Sequence, residues 1–461
     1  MKYRSETDTR EGFKWFRVLI GLAISLKIIM FWYFVKYGQF VDNDSALYIK
    51  LAENLIDNQV FSVSTTVPFE AHVFRTPGYP IFLAALTLMG MEGSYWPVFW
   101  QELIYGVCIF LFYHYGKRLF DRNIVIAGVI FLLLDPGGFV HPKLIMSEVL
   151  FLPFFFLGLF AIGIYLRESK WQNLVIAGFL FGLGALVRPA VFYLPLVIAI
   201  TLCCFDYRNK KQWLHAGLFL LMFIITLSPW LVRNYLHFDK VFMSSSHGNI
   251  LAKYHVPIVW DAAGVIPREQ GNMLVLKKIS DTVSKQSSNI GRPLSEVEID
   301  GVEQKLAVEE LAKYPFTYLK QWIFGCIKTM SGPFITQLYD SFGIQSGRVH
   351  FYDVIRQADS FFEGVWHYFK NLDLVFLINV VATIVMAGFA LLGIFNIISQ
   401  KDCFLWIMML ANFYFIVIPG PEGYPRFRFP ISLFWFIQAY LGFRWMAALV
   451  QRNNRNEVIT Q

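Results

Sequence analysis

The chain has 461 residues, 56% of them hydrophobic and 16% charged, with a formal net charge of +7, whereas an ordinary soluble domain carries roughly a quarter charged residues. Apolar runs of bilayer-crossing length, about 20 residues, recur from Phe13 to Val450. They indicate an all-α polytopic membrane protein and exclude a soluble multidomain enzyme, a coiled coil, a disordered chain and a secreted disulfide scaffold. A membrane β-barrel is excluded as well, since its strands read as short alternating segments.

The first run, Phe13 to Tyr37, is too long for a signal-peptide core and lacks a small-residue cleavage site, so it reads as an uncleaved span. Nine more follow: Trp96 to Tyr115, Ile124 to Leu134, Leu144 to Leu166, Leu174 to Val187, Val191 to Phe205, Trp213 to Val232, Leu374 to Ile398, Phe404 to Ile418 and Phe429 to Val450. Two stretches, Gly78 to Met91 and Phe316 to Pro333, are short or interrupted. Either both cross, giving about 12 helices rather than 10, or both stay out; the second is favoured because it puts Lys117 and Arg118 inside. The basic clusters before the first span, at Lys117 to Arg122, at Arg208 to Lys211 and after the last span then all face the cytoplasm, as do both termini. No internal repeat is visible, and residues 1–461 read as one transmembrane domain.

Four segments share the far side: the first outer loop (residues 39–80), Asp135 to Pro142, the long stretch 233–373, and Pro419 to Arg428. Residues 374–461 supply the last spans. In the long stretch, Glu296 to Leu311 has the pattern of an amphipathic helix lying on the membrane.

The first outer loop opens with Asp42-Asn43-Asp44, and the residues from Asp44 to Leu55 pattern as a flat helix. Asp44 is either its N-cap or a carboxylate held at the membrane surface as a general base. Farther on, Arg75-Thr76-Pro77-Gly78-Tyr79-Pro80 makes a rigid turn into an apolar helix. Its arginine either snorkels to lipid headgroups or binds a phosphate.

Glu148 sits about one turn into an otherwise apolar span, where a carboxylate needs a partner or a wet cavity. It either pairs with Arg188 or lines an acceptor site. Arg188, ahead of Pro189, and the pair Arg426 and Arg428 fall at outer span ends, where arginines are scarce. A lipid-linked phosphate would explain them, because guanidinium grips phosphate oxygens in pairs. The triplet Asp42-Asn43-Asp44 also has the Asp-x-Asp form that holds a divalent metal in soluble glycosyltransferases. No second acidic cluster completes such a site, so a divalent metal is possible but not favoured, and no cofactor is expected.

These pieces resemble the membrane-embedded GT-C type glycosyltransferases that use polyprenyl-phosphate sugars, particularly bacterial relatives of protein O-mannosyltransferases and of the lipid A aminoarabinose transferase. The resemblance rests on Asp44 four residues before Tyr48, with Ala52 and Asn54 following. It rests also on Arg75 to Pro80, Ser147-Glu148, Leu186 to Pro189, Pro229-Trp230-Leu231-Val232-Arg233-Asn234 and Arg426 to Pro430. It implies a GT-C fold with Asp44 as the catalytic carboxylate and Arg75, Arg426 and Arg428 around the donor phosphate. Arg188 joins that phosphate set from its outer position, and Asp42, Tyr48, Tyr79 and Glu148 are substrate-site candidates.

The implied activity is inverting transfer of one sugar from a polyprenyl-phosphate donor to a hydroxyl on a glycan, lipid or protein, at the outer face and among membrane lipids, with no nucleic-acid partner. Some relatives carry a large outer domain after the last span. The sequence after this last span, Arg452 to Gln461, is short, so acceptor choice is expected to fall to the stretch from Arg233 to Asp373. The sequon Asn43-Asp44-Ser45 on the catalytic position would be hazardous in the eukaryotic ER lumen, which favours a bacterial cytoplasmic membrane. The competing readings are a flippase or transporter of a lipid-linked or anionic substrate, and a polysaccharide polymerase or ligase.

Overall fold

The computed structural model describes residues 6–37, 43–336, 339, 360–370 and 372–460. Asp42 lies outside the described residues. Among those described, every regular element is helical. In chain order they are α1 (Glu6–Tyr37), α2 (Asn43–Asp57), α3 (Gly78–Leu88), α4 (Tyr95–Leu119), α5 (Arg122–Leu134), α6 (Pro136–Val140), α7 (Ser147–Glu168), α8 (Trp171–Val187), α9 (Leu194–Phe205) and α10 (Lys210–Phe238). The outer stretch adds α11 (His247–Ile250), a π-helical turn Leu251–His255, α12 (Val256–Ala262), α13 (Arg268–Ile290), α14 (Glu296–Leu311) and α15 (Pro315–Ser331). The chain closes with α16 (Phe361–Lys370), α17 (Leu374–Gln400), α18 (Cys403–Val417), a 3-10 turn Pro425–Ile431 and α19 (Ser432–Thr460).

Among the described residues, six helices are long and apolar enough to cross a membrane: Ile20–Tyr37, Tyr95–Leu119, Ser147–Glu168, Lys210–Phe238, Leu374–Gln400 and Pro425–Arg452. Each matches one of the ten expected spans. The expected span from Ile124 departs from that pattern. Asp135 takes an extended backbone ahead of Pro136, as residues before proline favour, so α5 stops there and Pro136–Lys143 continues at a bend of 47°, the two together being long and apolar enough for a seventh, broken span. The remaining three expected spans are shorter apolar helices, Trp171–Val187, Pro189–Phe205 and Cys403–Val417, and so is Gly78–Leu88.

The main core runs between α4, α5, α7, α8, α9, α10 and the last helices, and is dense in phenylalanine: Phe151, Phe155, Phe156, Phe160, Phe181 and Phe434 are all buried in it. Several of their rings meet edge-on, as at Phe156 and Phe434, 5.4 Å apart, which suits the aromatic quadrupole.

The outer stretch has a core of its own. Ala252, Val256, Val259, Trp260, Val275, Ile279, Ala307 and Leu311 form a separate small core shared by α12, α13, α14 and the π-turn. Helix α14 spans the expected residues and starts with a full capping box between Ser295 and Glu298. The turn Gly420–Glu422 is seated backbone-to-backbone on α15: a Cβ at Gly325 would collide with the Gly420 carbonyl, and one at Gly423 with the Gly325 carbonyl. Gly420 also needs its φ of +58°.

Candidate active site

Five charged side chains from five places in the sequence converge where α2, α7, α8 and the turn before α19 meet. Asp44, in the first turn of α2, sits where a helix dipole favours a carboxylate. Its Oδ1 accepts from Arg75 Nη2, and its Oδ2 accepts from both Arg426 Nη1 and Nη2 at 3.2 Å. Arg426 Nε donates to Glu148 Oε1, and Arg188 Nη1 lies 2.7 Å from the same oxygen. The side chains grade from sealed to open: Glu148 is 0% exposed, Arg188 10%, Arg426 21% and Asp44 30%. Three guanidiniums against two carboxylates leave one positive charge in excess.

Local sequence explains how each group reaches this point. Proline after Arg188 ends α8, and Pro425 opens the turn that aims Arg426. A Cβ at Gly78 would lie 2.8 Å from the Leu186 carbonyl oxygen, so glycine lets α3 begin against the end of α8. Thr76 Oγ1 donates to the Val187 carbonyl at 3.2 Å, tying the Arg75 loop to the residue before Arg188. The Arg75 guanidinium lies over the rings of Tyr48 and Phe74, at 5.1 and 4.8 Å.

Tyr79 is a buttress beneath the cluster. It is fully buried, meets Tyr48 edge-on at 4.8 Å and donates to Gln101 Oε1 at 2.7 Å. Gln101 in turn donates to the carbonyls of Pro142 and Leu144, holding the extended segment that delivers Glu148. Arg428 is not brought into these ion pairs. It is 1% exposed and donates to the carbonyls of Thr329, Met330 and Gly332 at the end of α15, where orphan carbonyls need donors. A 3-10 turn has about three residues per turn, so positions two apart point to different sides.

Other groups near the cluster carried no sequence signal. His141 is 1% exposed, lies tilted against Phe429 with ring centroids 4.1 Å apart and leaves both ring nitrogens unpaired. Glu148 Oε2, Arg75 Nε and Arg188 Nε also lack partners. Burial raises the Glu422 carboxyl above its usual range, against the pull of Arg426 and Arg268 and with a push from Asp44. Burial likewise raises the Tyr254 phenol, helped by the charges of Glu422 and Asp44. Both lie outside the apolar spans, on the outer-stretch side of Asp44. Among the described residues no group of three or more His, Cys, Asp or Glu side chains could hold a metal.

The fold is that of the GT-C membrane glycosyltransferases. The chain is similar to AglB, the oligosaccharyltransferase of the archaeon Archaeoglobus fulgidus, in its complex with an inhibitory peptide and a dolichol-phosphate: TM-score 0.52, 12% identity, 96% of this chain and 52% of that one. The apo form of the Archaeoglobus fulgidus oligosaccharyltransferase gives 0.53, 14%, 96% and 52%. ArnT from Cupriavidus metallidurans gives 0.39, with 13% identity over 92% of this chain and 76% of that one. The chain thus spans about half the length of the archaeal structures it matches. No curated protein matches it.

Within this class, residues 75–232 match the family described as dolichyl-phosphate-mannose-protein mannosyltransferase. That stretch contains Arg75, Glu148 and Arg188. Asp44 and Arg426 flank it and join the cluster through the fold alone.

Proposed function

We propose that the protein transfers a single sugar from a polyprenyl-phosphate donor to a hydroxyl acceptor at the outer face of the membrane, with inversion and with Asp44 as general base. The observation that carries this reading is the double engagement of Asp44, one oxygen by Arg75 and the other by Arg426. A polyprenyl-phosphate sugar is a phosphodiester with one negative charge. Its phosphate would replace Asp44 as the partner of the two guanidiniums, supplying the anion that the excess positive charge calls for. Asp44 would then be free to take a proton.

In the reaction the acceptor oxygen attacks the anomeric carbon opposite the phosphate. Its proton passes to Asp44, the bond from the anomeric carbon to the phosphate oxygen breaks, and the electron pair leaves on the phosphate as a second negative charge. That charge grows between Arg75 and Arg426, with Arg188 behind them, where fixed cations act in a water-poor setting. Glu148 holds Arg426 and Arg188 in place from its sealed position. The acceptor would enter from the side of Tyr254 and Glu422. No step is assigned to a metal ion.

The proposed orientation is supported by charges at the far ends of the helices. Lys117 and Arg118 end α4, Arg167 ends α7, and Lys210 and Lys211 start α10, so the positive-inside rule turns the cluster outward, toward the periplasm or exterior of a bacterial cell. The test compares lipid-linked sugars and envelope glycans by mass spectrometry in cells with the wild type, with no protein, and with Asp44→Asn. One sugar missing from a glycan and a polyprenyl-phosphate sugar accumulating, in both altered strains, is the expected result. Wild-type glycans with Asp44→Asn would overturn the base assignment. Accumulation confined to the cytoplasmic leaflet would mean that the protein moves the lipid.

A further inference from the structure

The loop that presents Arg75 is fastened to a helix more than two hundred residues away in sequence. His72 is 4% exposed, and its Nδ1 lies 2.8 Å from Glu296 Oε1. Its Nε2 accepts the backbone N–H of Arg75 at 3.2 Å, so the ring proton sits on Nδ1 and is donated to Glu296. The other Glu296 oxygen accepts the Val73 N–H at 2.9 Å. One carboxylate in the first turn of α14 therefore fixes the loop twice, directly at Val73 and through the imidazole at Arg75. Burial by itself would raise this carboxyl, but the bonds from His72 and from the Val73 and Phe74 amides hold it below its usual range.

Helix α14 is also stapled to the segment that overlooks Asp44. Asp300 Oδ1 accepts the Gly248 and Asn249 amides at 2.8 and 3.2 Å. Glu303 pairs with Lys253 at 2.8 Å, next to Tyr254, whose phenol feels the charge of Asp44. The outer helical unit thus reaches the cluster from two sides.

We propose that Glu296 and His72 are positioning residues for Arg75, through which the outer helical unit sets the geometry of the donor-phosphate site. This rests on the donor-phosphate role of Arg75 given above. Neither residue touches the reacting atoms. Without Glu296, the His72 and Val73 donors lose their acceptor and the loop relaxes; a shift of about 1 Å in a positioned group is enough to cost about 100-fold.

The experiment uses the full chain in lipid nanodiscs, titrated with a polyprenyl monophosphate and assayed in parallel for sugar transfer. Glu296→Ala and His72→Ala should each weaken binding of the lipid phosphate by about tenfold or more. Glu296→Gln, which keeps the volume and one acceptor oxygen, should lose less. Glu298→Ala removes the capping box and the Arg292 bridge from the same helix end without touching His72, and should bind as the wild type does. Adding Glu296→Ala to Arg75→Ala should cost nothing further, because the effect runs through Arg75.

Wild-type binding in Glu296→Ala, an equal loss in Glu298→Ala, or a loss that adds to that of Arg75→Ala would each overturn the positioning role while leaving the donor site intact. A wild-type protein that does not bind the lipid phosphate would instead remove the reading of the site, and this inference with it.

Discussion

The protein holds two charge clusters in apolar surroundings, and they are built on opposite plans. Around Asp44 the cations are arginines, carboxylate oxygens are shared between them, and the outer members are partly open. Beneath the bent segment α6 the cations are lysines with dedicated partners. Lys143 is fully buried and pairs with Glu102 at 2.5 Å and with the Phe139 carbonyl at 2.7 Å. Lys27 donates to the Gly138 carbonyl at 2.6 Å and lies over the rings of Tyr105 and Phe139 at 4.7 and 4.4 Å. The lysines are spent on dedicated partners, Glu102 and the carbonyls of Phe139 and Gly138, and hold the bent segment in place. The arginine cluster has charge and donors to spare, which is what a site for an anion requires.

The two clusters should fail differently when broken. The largest effect belongs to Asp44→Asn, which should lower transfer by about 10²- to 10⁴-fold, the usual range for a general base, with the melting temperature in detergent little changed. Lys143→Met should do the reverse. Glu102, 17% exposed, is then left partly buried without its cation, at a cost of about 1–3 kcal/mol of stability, visible as lost folded yield, while the protein that does fold should transfer sugar at a normal rate.

Arg426→Lys separates charge from geometry, since an ammonium cannot span Asp44 and Glu148 as the guanidinium does. A rise in donor KM of about 10-fold, with acceptor KM unchanged, is expected from the loss of one charge-assisted bond. Unchanged donor kinetics would take Arg426 out of the phosphate site.

The smallest effect is a pH signature. The Glu422 carboxyl is raised in the folded chain, so the native state binds more protons than the unfolded state from the ordinary glutamate range up to the raised value. Stability therefore falls as pH rises through that window, and Glu422→Gln should flatten the fall. Melting curves between about pH 4 and 7 read it directly.

The contrast between the clusters also shows how far the sequence could be read. Asp44, Arg75, Glu148, Arg188 and Arg426 each stood out singly, as a charge at a span end or a turn fixed by proline. The Glu148–Arg188 pair was one of the expectations for that buried carboxylate, and the family resemblance grouped Asp44 with the arginines; which oxygen takes which guanidinium needed the fold. Arg428 looked equivalent to Arg426 because adjacency in sequence hides the angular step of a 3-10 turn. The hydropathy pattern found the long spans but not the bend between α5 and α6, since both helices are apolar and Asp135-Pro136 also reads as an ordinary loop. Glu296 and His72 were invisible for a simpler reason: no pattern in the sequence links a glutamate at a helix start to a histidine more than two hundred residues earlier.

The glycine seat between α15 and the 420–423 turn has one more consequence. Since backbone rests on backbone there, no side chain can be trimmed to make room, and the turn that aims Arg426 inherits its position from α15 as a gear inherits the setting of its shaft. Gly325, Gly420 and Gly423 are therefore points where sequence drift is blocked by shape alone. A tolerance map of the chain would score them beside Asp44, although they carry no chemistry, and protein abundance rather than turnover is what would tell the two kinds of intolerance apart.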